Sequence, residues 1–79
     1  MVLEKTHKIT LYNDEEHSLA FVQSCLINIC NHEPIQAAQC ATIVDGVGKY
    51  DIQIGNFDEM LEVKFSFDEC GLKTEISES

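Results

Sequence analysis

Oxygen-bearing side chains follow a short apolar segment near the start of this chain, and they are the residues best placed to do chemistry. The run from Asn13 to Glu16 presents one amide and three carboxylates. Hydrogen-bond acceptors therefore predominate, and the Asn13 amide is the one strong side-chain donor. A group with several N–H donors and a positive charge is complementary to such a run. A protonated peptide amino terminus is the commonest group of that kind.

A further candidate acceptor, Asp45, lies near the predicted end of a helix. A carboxylate there opposes the helix dipole, at a cost of about 0.3–1 kcal/mol, so a role outside local helix stability is one explanation. The other explanation is that Asp45-Gly46 is a turn dipeptide and Asn13-Asp14 an Asx turn. Spacing alone does not decide between them. If two helices form a hairpin that returns the chain to its starting edge, Asp45 meets Asn13 and Asp14.

Hydrophobic periodicity and capping signals predict the elements that position these residues. Ser18 and Asn31 are the predicted start and stop of the first helix, Pro34 fits the first turn of the second, and Asn56 with Glu59 has the spacing of a capping box. The predicted elements are a strand over His7–Tyr12, a helix from Ser18 to Asn31, a helix from Pro34 to Gly46, a strand over Tyr50–Ile54, a helix from Asn56 to Gly71 and a strand over Leu72–Ile76.

This order predicts an α+β fold: a three-stranded antiparallel sheet with helices packed on one face, in the order β-α-α-β-α-β. Seventy-nine residues suit one domain, here residues 1–79, with residues 1–7 as a short flexible lead-in. We expect a monomer.

The net charge of −9 argues against nucleic acid and anionic membranes as partners, because five basic residues cannot neutralise a phosphate surface. The longest uncharged run is too short to span a bilayer, and the first residues do not form a secretory signal. We therefore expect a cytoplasmic protein that prefers cationic ligands or basic partner surfaces.

The four cysteines, at positions 25, 30, 40 and 70, form no Cys-x-x-Cys pair and lie among apolar residues. This pattern is typical of buried reduced thiols. A zinc site formed by Cys25, Cys30, His32 and Cys40 is the alternative, although structural zinc sites usually have closer ligand pairs. We expect no cofactor and no metal.

Catalytic patterns are weak. His17 and Ser18 are neighbours at a helix start and cannot face each other as base and nucleophile, and Gly46-Val47-Gly48-Lys49 lacks the spacing of a phosphate loop. The sequence therefore favours a non-catalytic binding domain over a small metal-dependent or thiol-dependent enzyme.

Several segments together resemble the ClpS adaptors, a family that delivers proteins with destabilising amino-terminal residues to the Clp unfoldase and protease. The resemblance covers the chain from Lys8 to Ser77. The matching segments are Leu11-Tyr12-Asn13-Asp14-Glu15, Phe21-Val22 with Leu26, Gln36-Ala37-Ala38-Gln39, Gly48-Lys49, and the pattern of Glu59, Glu62 and Lys64.

The resemblance implies that Asn13 and Asp14 bind the α-ammonium of a substrate peptide. The third family ligand is a His at the position of Asp45. A carboxylate there offers two oxygens and a charge, so Asp45 can take the place of the imidazole. Without ligand, Asp14 and Asp45 would repel one another and raise the pKa of one of them, so that binding weakens as the pH falls.

The resemblance also implies an apolar pocket between the first two helices for the first side chain of the peptide. Its residues here are Leu19, Val22, Ala41 and Val44. Ala41 stands where a larger Met is common. Lys73 falls near a pocket position that is usually apolar, which would lower the affinity for bulky apolar end residues.

Glu59 and Lys64 match the positions through which the family docks on the amino-terminal domain of its AAA+ unfoldase. An acid and a base on an outer helix face are otherwise ordinary solvated residues. The expected partners are thus a Clp-type unfoldase and the amino-terminal peptides of its substrates. The alternative is a divergent module that docks an unfoldase or another protein without reading amino termini, which Asp45, Lys73 and the short lead-in favour.

Overall fold

The computed structural model describes residues 5–79, which form three strands and three helices. The elements are β1 (His7–Tyr12), α1 (Leu19–Cys30), α2 (Pro34–Val47), β2 (Lys49–Gly55), α3 (Phe57–Glu69) and β3 (Thr74–Glu78). The predicted α+β class and element order are confirmed. Part of the predicted lead-in, residues 1–4, lies outside the described residues, and β1 begins at His7.

β1 is the central strand of the sheet, whose order is β2-β1-β3, and it pairs antiparallel with both neighbours. The register with β2 shifts between Ile9 and Thr10, so that Ile52 is the extra residue of a bulge. The Ile52 carbonyl accepts a hydrogen bond of 3.1 Å from Nε2 of the buried His32. The side chain of His32 thereby satisfies a carbonyl at the place where the ladder is irregular.

One face of the sheet packs against the helices and forms the core. Successive side chains of a strand point to opposite faces, so Ile9 and Leu11 of β1 face the helices together. Both are fully buried, as are Leu26, Met60 and Phe67 from the helices. Burying a large apolar side chain stabilises the fold by about 1.5–3 kcal/mol.

The opposite face of the sheet is here called the open sheet face. Its residues lie directly opposite one another in the strand register or contact a neighbour on that face: Lys8, Thr10, Tyr12, Lys49, Asp51, Ile54, Lys73, Glu75 and Ser77.

The predicted helix signals at both ends of α1 and at the start of α3 are confirmed. Ser18 Oγ accepts from the backbone N–H of Phe21 at 3.1 Å, and Asn31 ends α1 with φ 57°. At α3, Asn56 Oδ1 accepts from the Glu59 N–H at 2.8 Å, while its amide donates to the Glu59 carboxylate at 3.1 Å. The Ser18 and Asn56 side-chain oxygens thus pair backbone N–H groups that the first turn of a helix leaves without partners.

The predicted end of α2 at Gly46 is wrong, because the helix continues to Val47. Gly48 is the residue that takes the left-handed conformation, with φ 103°, and its N–H donates to the Val44 carbonyl at 2.9 Å. Glycine adopts that conformation without steric cost, so the second glycine of the pair caps the helix.

The last strand begins two residues later than predicted, at Thr74. The N–H of Leu72 donates to the Phe67 carbonyl at 3.0 Å, so this residue still belongs to the turn that closes α3. Two apolar positions predicted for α3 are also more exposed than the pattern indicates, Phe57 at 47% and Phe65 at 60%.

All four cysteines are free thiols, as expected, and Cys25 and Cys40 are buried. Burial raises the pKa of Cys25 and of Cys30 to about 12, so their thiolate forms are scarce at neutral pH. Within residues 5–79, no three His, Cys, Asp or Glu side chains lie close enough together to hold a metal ion. In the same part of the chain, no helix has the length and apolar character needed to cross a membrane.

Candidate functional site

The candidate site lies where β1 ends. The backbone N–H of Tyr12 donates to the Lys73 carbonyl at 3.0 Å, and that of Asn13 donates to the Gly48 carbonyl at 2.9 Å. These two hydrogen bonds hold the end of β1 between the start of β3 and the junction of α2 with β2. Asn13 itself is exposed.

Asp45 lies on the last turn of α2 and is exposed. Gly48, which accepts the Asn13 hydrogen bond, caps the same helix. The backbone therefore brings together the two distant segments that carry the predicted acceptors. That the three side chains converge on one ligand stays a prediction.

Asp14 is the most constrained member of the site. Its Oδ1 accepts from the backbone N–H groups of Glu16 at 3.0 Å and His17 at 2.8 Å, which is the geometry of an Asx turn. Its Oδ2 lies 2.8 Å from Nδ1 of His17. An ionised carboxylate only accepts, so this imidazole nitrogen donates.

The pKa of Asp14 is lowered. Partial desolvation acts to raise it, but the hydrogen bonds from the side chain and backbone of His17 and from the backbone of Glu16 outweigh that effect. Asp45 is not among the groups that shift the pKa of Asp14, so the rise predicted for one of the two acids does not fall on Asp14. Asp14 stays ionised well below neutral pH.

His17 is a member of the site that sequence reasoning missed. Its ring stacks on Phe21 with centroids 4.8 Å apart and an interplanar angle of 22°. A Cβ added at Gly71 would lie 3.5 Å from the imidazole, so the ring packs against the turn before β3. The three-residue spacing of Asp14 and His17 was the available signal, because it allows a side chain at a helix start to reach back to a preceding acid.

The four predicted pocket residues lie on the α1–α2 hairpin. Ala41 and Val44 of α2 are buried, Val22 is half-buried, and Leu19 is 42% exposed. The predicted pocket residues thus combine two small buried side chains on α2 with a larger, partly exposed one at the start of α1. Its use as a pocket for a substrate side chain stays a prediction.

Lys73 lies on the open sheet face. Its ammonium is 5.3 Å from the centroid of the Tyr12 ring, and Tyr12 alternates with the buried Leu11 along β1. The positive charge expected near the apolar pocket is therefore directed to the sheet face opposite the helices.

The two predicted docking residues on α3 have structural contacts. Glu59 is exposed and contributes to the cap formed by Asn56. Lys64 is half-buried, and its ammonium donates to the Thr74 carbonyl at 2.7 Å and lies 3.8 Å from Asp68. Lys64 thus links α3 to β3, while Glu59 is the more accessible of the two.

The structure is that of a small α+β domain with a helical hairpin. The end of β1 with Asn13 and Asp14 and the end of α2 with Asp45 are joined by the Asn13–Gly48 hydrogen bond and are here called the acidic corner. The family model of the ATP-dependent Clp protease adaptor protein ClpS matches residues 3–72, and the chain belongs to this family. The family is one of adaptors, in agreement with the prediction of a non-catalytic domain.

The fold is also that of a solved relative. The structure of Agrobacterium tumefaciens ClpS2 bound to L-phenylalaninamide superposes with a TM-score of 0.87 at 18% sequence identity, covering 98% of this chain and 100% of that chain. At this identity the likeness shows the fold. The search of curated proteins gave no significant match.

Proposed function

We propose that this adaptor domain binds the free α-ammonium group and the first side chain of substrate peptides and delivers them to a Clp unfoldase. The observation that carries the proposal is the hydrogen bond from Asn13 to the Gly48 carbonyl, which joins the strand end bearing Asn13 and Asp14 to the helix end bearing Asp45.

The chemistry of these residues suits an ammonium group. An α-ammonium has three N–H donors and a positive charge, and Asn13, Asp14 and Asp45 supply an amide oxygen and two carboxylates. Each charge-assisted hydrogen bond contributes about 1.5–3 kcal/mol. Asp14 is charged at neutral pH, and its contacts with His17 and Glu16 lower its pKa further below the ordinary value of an aspartate. An acetylated amino terminus lacks the charge and two of the donors.

The α1–α2 hairpin supports a preference for apolar first residues. Of the predicted pocket residues, Leu19 and the half-buried Val22 are the accessible apolar side chains, whereas Ala41 and Val44 are buried. The ligand of Agrobacterium ClpS2, L-phenylalaninamide, is a free amine with a benzyl side chain and a capped carboxyl group. It has the chemistry of a peptide that begins with Phe.

Docking on the unfoldase would use α3. Glu59 is exposed near the start of this helix, and Lys64 lies further along it. We propose that Glu59 contacts the amino-terminal domain of the unfoldase and that Lys64 chiefly fixes α3 against β3.

Isothermal titration calorimetry tests the amino-terminal specificity. We expect a peptide that begins with a free Phe to bind with a Kd near 1 μM, about −8 kcal/mol, and its acetylated form to show no binding. Asp45→Ala should weaken binding of the free peptide at least tenfold. Glu16→Ala should not, because Glu16 is an exposed acid outside the proposed ligand set. Equal affinities for the free and acetylated peptides would falsify the proposal.

A second candidate function is a docking module that does not read amino termini. The occupied oxygens of Asp14 favour it, because three hydrogen bonds already reach this carboxylate. Titration with the amino-terminal domain of the unfoldase separates the two functions. Docking that is lost in Glu59→Ala and kept in Glu62→Ala, together with no binding of free-ended peptides, would favour the docking module.

A further inference from the structure

We propose that the open sheet face is a docking surface for an extended acidic segment of a protein partner. Lys49 and Lys73 would bind two of its carboxylates on either side of Tyr12. This surface is separate from the candidate site for amino termini.

The sign of the charge on this face is opposite to that of the whole chain. Three of the five basic residues of the chain, Lys8, Lys49 and Lys73, lie on it, against the two acids Asp51 and Glu75. The chain as a whole has a net charge of −9. A local excess of positive charge on so acidic a protein is the complement of an acidic ligand.

The two acids of the face already have partners. Asp51 accepts from the Thr10 hydroxyl at 2.6 Å and lies 3.2 Å from the Lys8 ammonium. Glu75 accepts from the Tyr12 hydroxyl at 2.9 Å. Their negative charge is therefore directed toward groups of the face itself.

Lys49 and Lys73 form no ion pair with these acids, although the charge of Lys49 contributes to the lowered pKa of Asp51. No salt bridge within residues 5–79 involves either of them. Lys73 lies over the Tyr12 ring at 5.3 Å, a contact that leaves its N–H donors available. The two ammonium groups are therefore the ones free to bind an incoming carboxylate.

The geometry suits an extended segment. Tyr12 pairs directly with Lys49 across β1 and β2, and its N–H bonds to the Lys73 carbonyl on the other side. Two strand spacings separate the lysine Cα atoms by about 10 Å. Alternate side chains of an extended segment lie about 7 Å apart, within the reach of two flexible lysines.

A shallow cavity of about 400 Å³ on this face gives the segment a place to lie. Tyr12, Tyr50 and the exposed Val47 line it beside the charged groups.

Titration with a synthetic peptide tests the proposal on the whole chain. The probe is an N-acetylated, C-amidated ten-residue peptide of alternating Glu and Ser, which has no free α-ammonium. In 50 mM NaCl we expect binding with shifts of the Tyr12, Lys49 and Glu75 amide resonances. The double variant Lys49→Ala with Lys73→Ala should weaken binding at least tenfold, and the Gln-for-Glu peptide should not bind.

Lys5→Ala is the matched control, since Lys5 is exposed and pairs with Glu78 outside this face; it should leave binding within twofold. Raising NaCl to 300 mM should weaken binding to the unaltered chain severalfold. The proposal is overturned if the double variant binds as well as the parent, if affinity is independent of salt, or if the shifts fall on α1 and α2. Because the probe is acetylated, each outcome is independent of the amino-terminus site.

Discussion

The acidic corner and the open sheet face meet at the end of β1 but have opposite electrostatic character. At the corner, Asn13 and Asp14 offer acceptors beside the acidic end of α2. One residue earlier, Tyr12 lies between Lys49 and Lys73. The same short stretch of chain therefore borders the surface proposed to bind a cation and the surface proposed to bind an acidic segment.

The difference shows how strand alternation separates surfaces of different charge in a small domain. Leu11 faces the core, Tyr12 faces the open sheet face, and Asn13 leaves the strand toward α2. A shift of one residue in register would exchange the first two environments, and the buried Ile9 and Leu11 prevent it. Apolar burial thus holds the two polar surfaces in place.

The largest effect should come from the hydrophobic core, which holds the two surfaces in place. Phe67→Ala removes a fully buried ring and should lower the free energy of unfolding by about 3–5 kcal/mol in a urea titration. Phe65→Ala, on the same helix but 60% exposed, should cost less than about 0.5 kcal/mol. Equal losses would show that the core is packed differently.

A second change separates the acidic corner from the open sheet face. Asp14→Asn keeps the shape of the side chain and removes its charge. By calorimetry, the affinity for a peptide that begins with a free Phe should fall at least tenfold, about 1.4 kcal/mol. The same variant should bind the acetylated acidic peptide as the parent does. Loss of both activities would indicate that the two surfaces are one site or that the variant is misfolded, which circular dichroism distinguishes.

The smallest effects are shifts in the pKa values of two carboxylates, Asp14 at the acidic corner and Asp51 on the open sheet face. Thr10, followed by Lys8, lowers the pKa of Asp51 against the opposing effect of desolvation, and the contacts with His17 lower that of Asp14. By NMR, both should titrate below the ordinary value of about 3.9. His17→Ala should raise the pKa of Asp14 alone, and Thr10→Val should raise that of Asp51 alone. A variant that shifts both pKa values would contradict the assignment of each shift to its neighbouring residue.

These shifts also fix the sign of the pH dependence of stability. A carboxyl whose pKa is lower in the folded than in the unfolded chain contributes stability that is fully present above its unfolded pKa. That contribution is lost as the pH falls through the folded pKa. In His17→Ala, the free energy of unfolding should therefore fall less steeply as the pH is lowered below about 4. Thermal melts at a series of pH values measure this slope.

Local chemistry made much of this molecule predictable. The alternation of His7–Tyr12, the hydroxyl of Ser18, the position of Pro34 and the Asn56–Glu59 pair each identify an element or its end through contacts within a few residues. Such features depend on near neighbours in the chain, so they can be read without a fold. The cation site expected from the acidic composition and the Asn13-Asp14 pair stays a prediction.

Other properties depended on residues far apart in the chain. The capping glycine of α2 was misplaced because Gly46 and Gly48 are equivalent locally, and only the folded chain assigns the left-handed conformation to Gly48. The side of the sheet on which the Lys73 charge lies, and the exposure of Phe65, depend on how β3 and α3 pack. Tertiary structure decided these features because burial and strand pairing are long-range, whereas capping and periodicity are local.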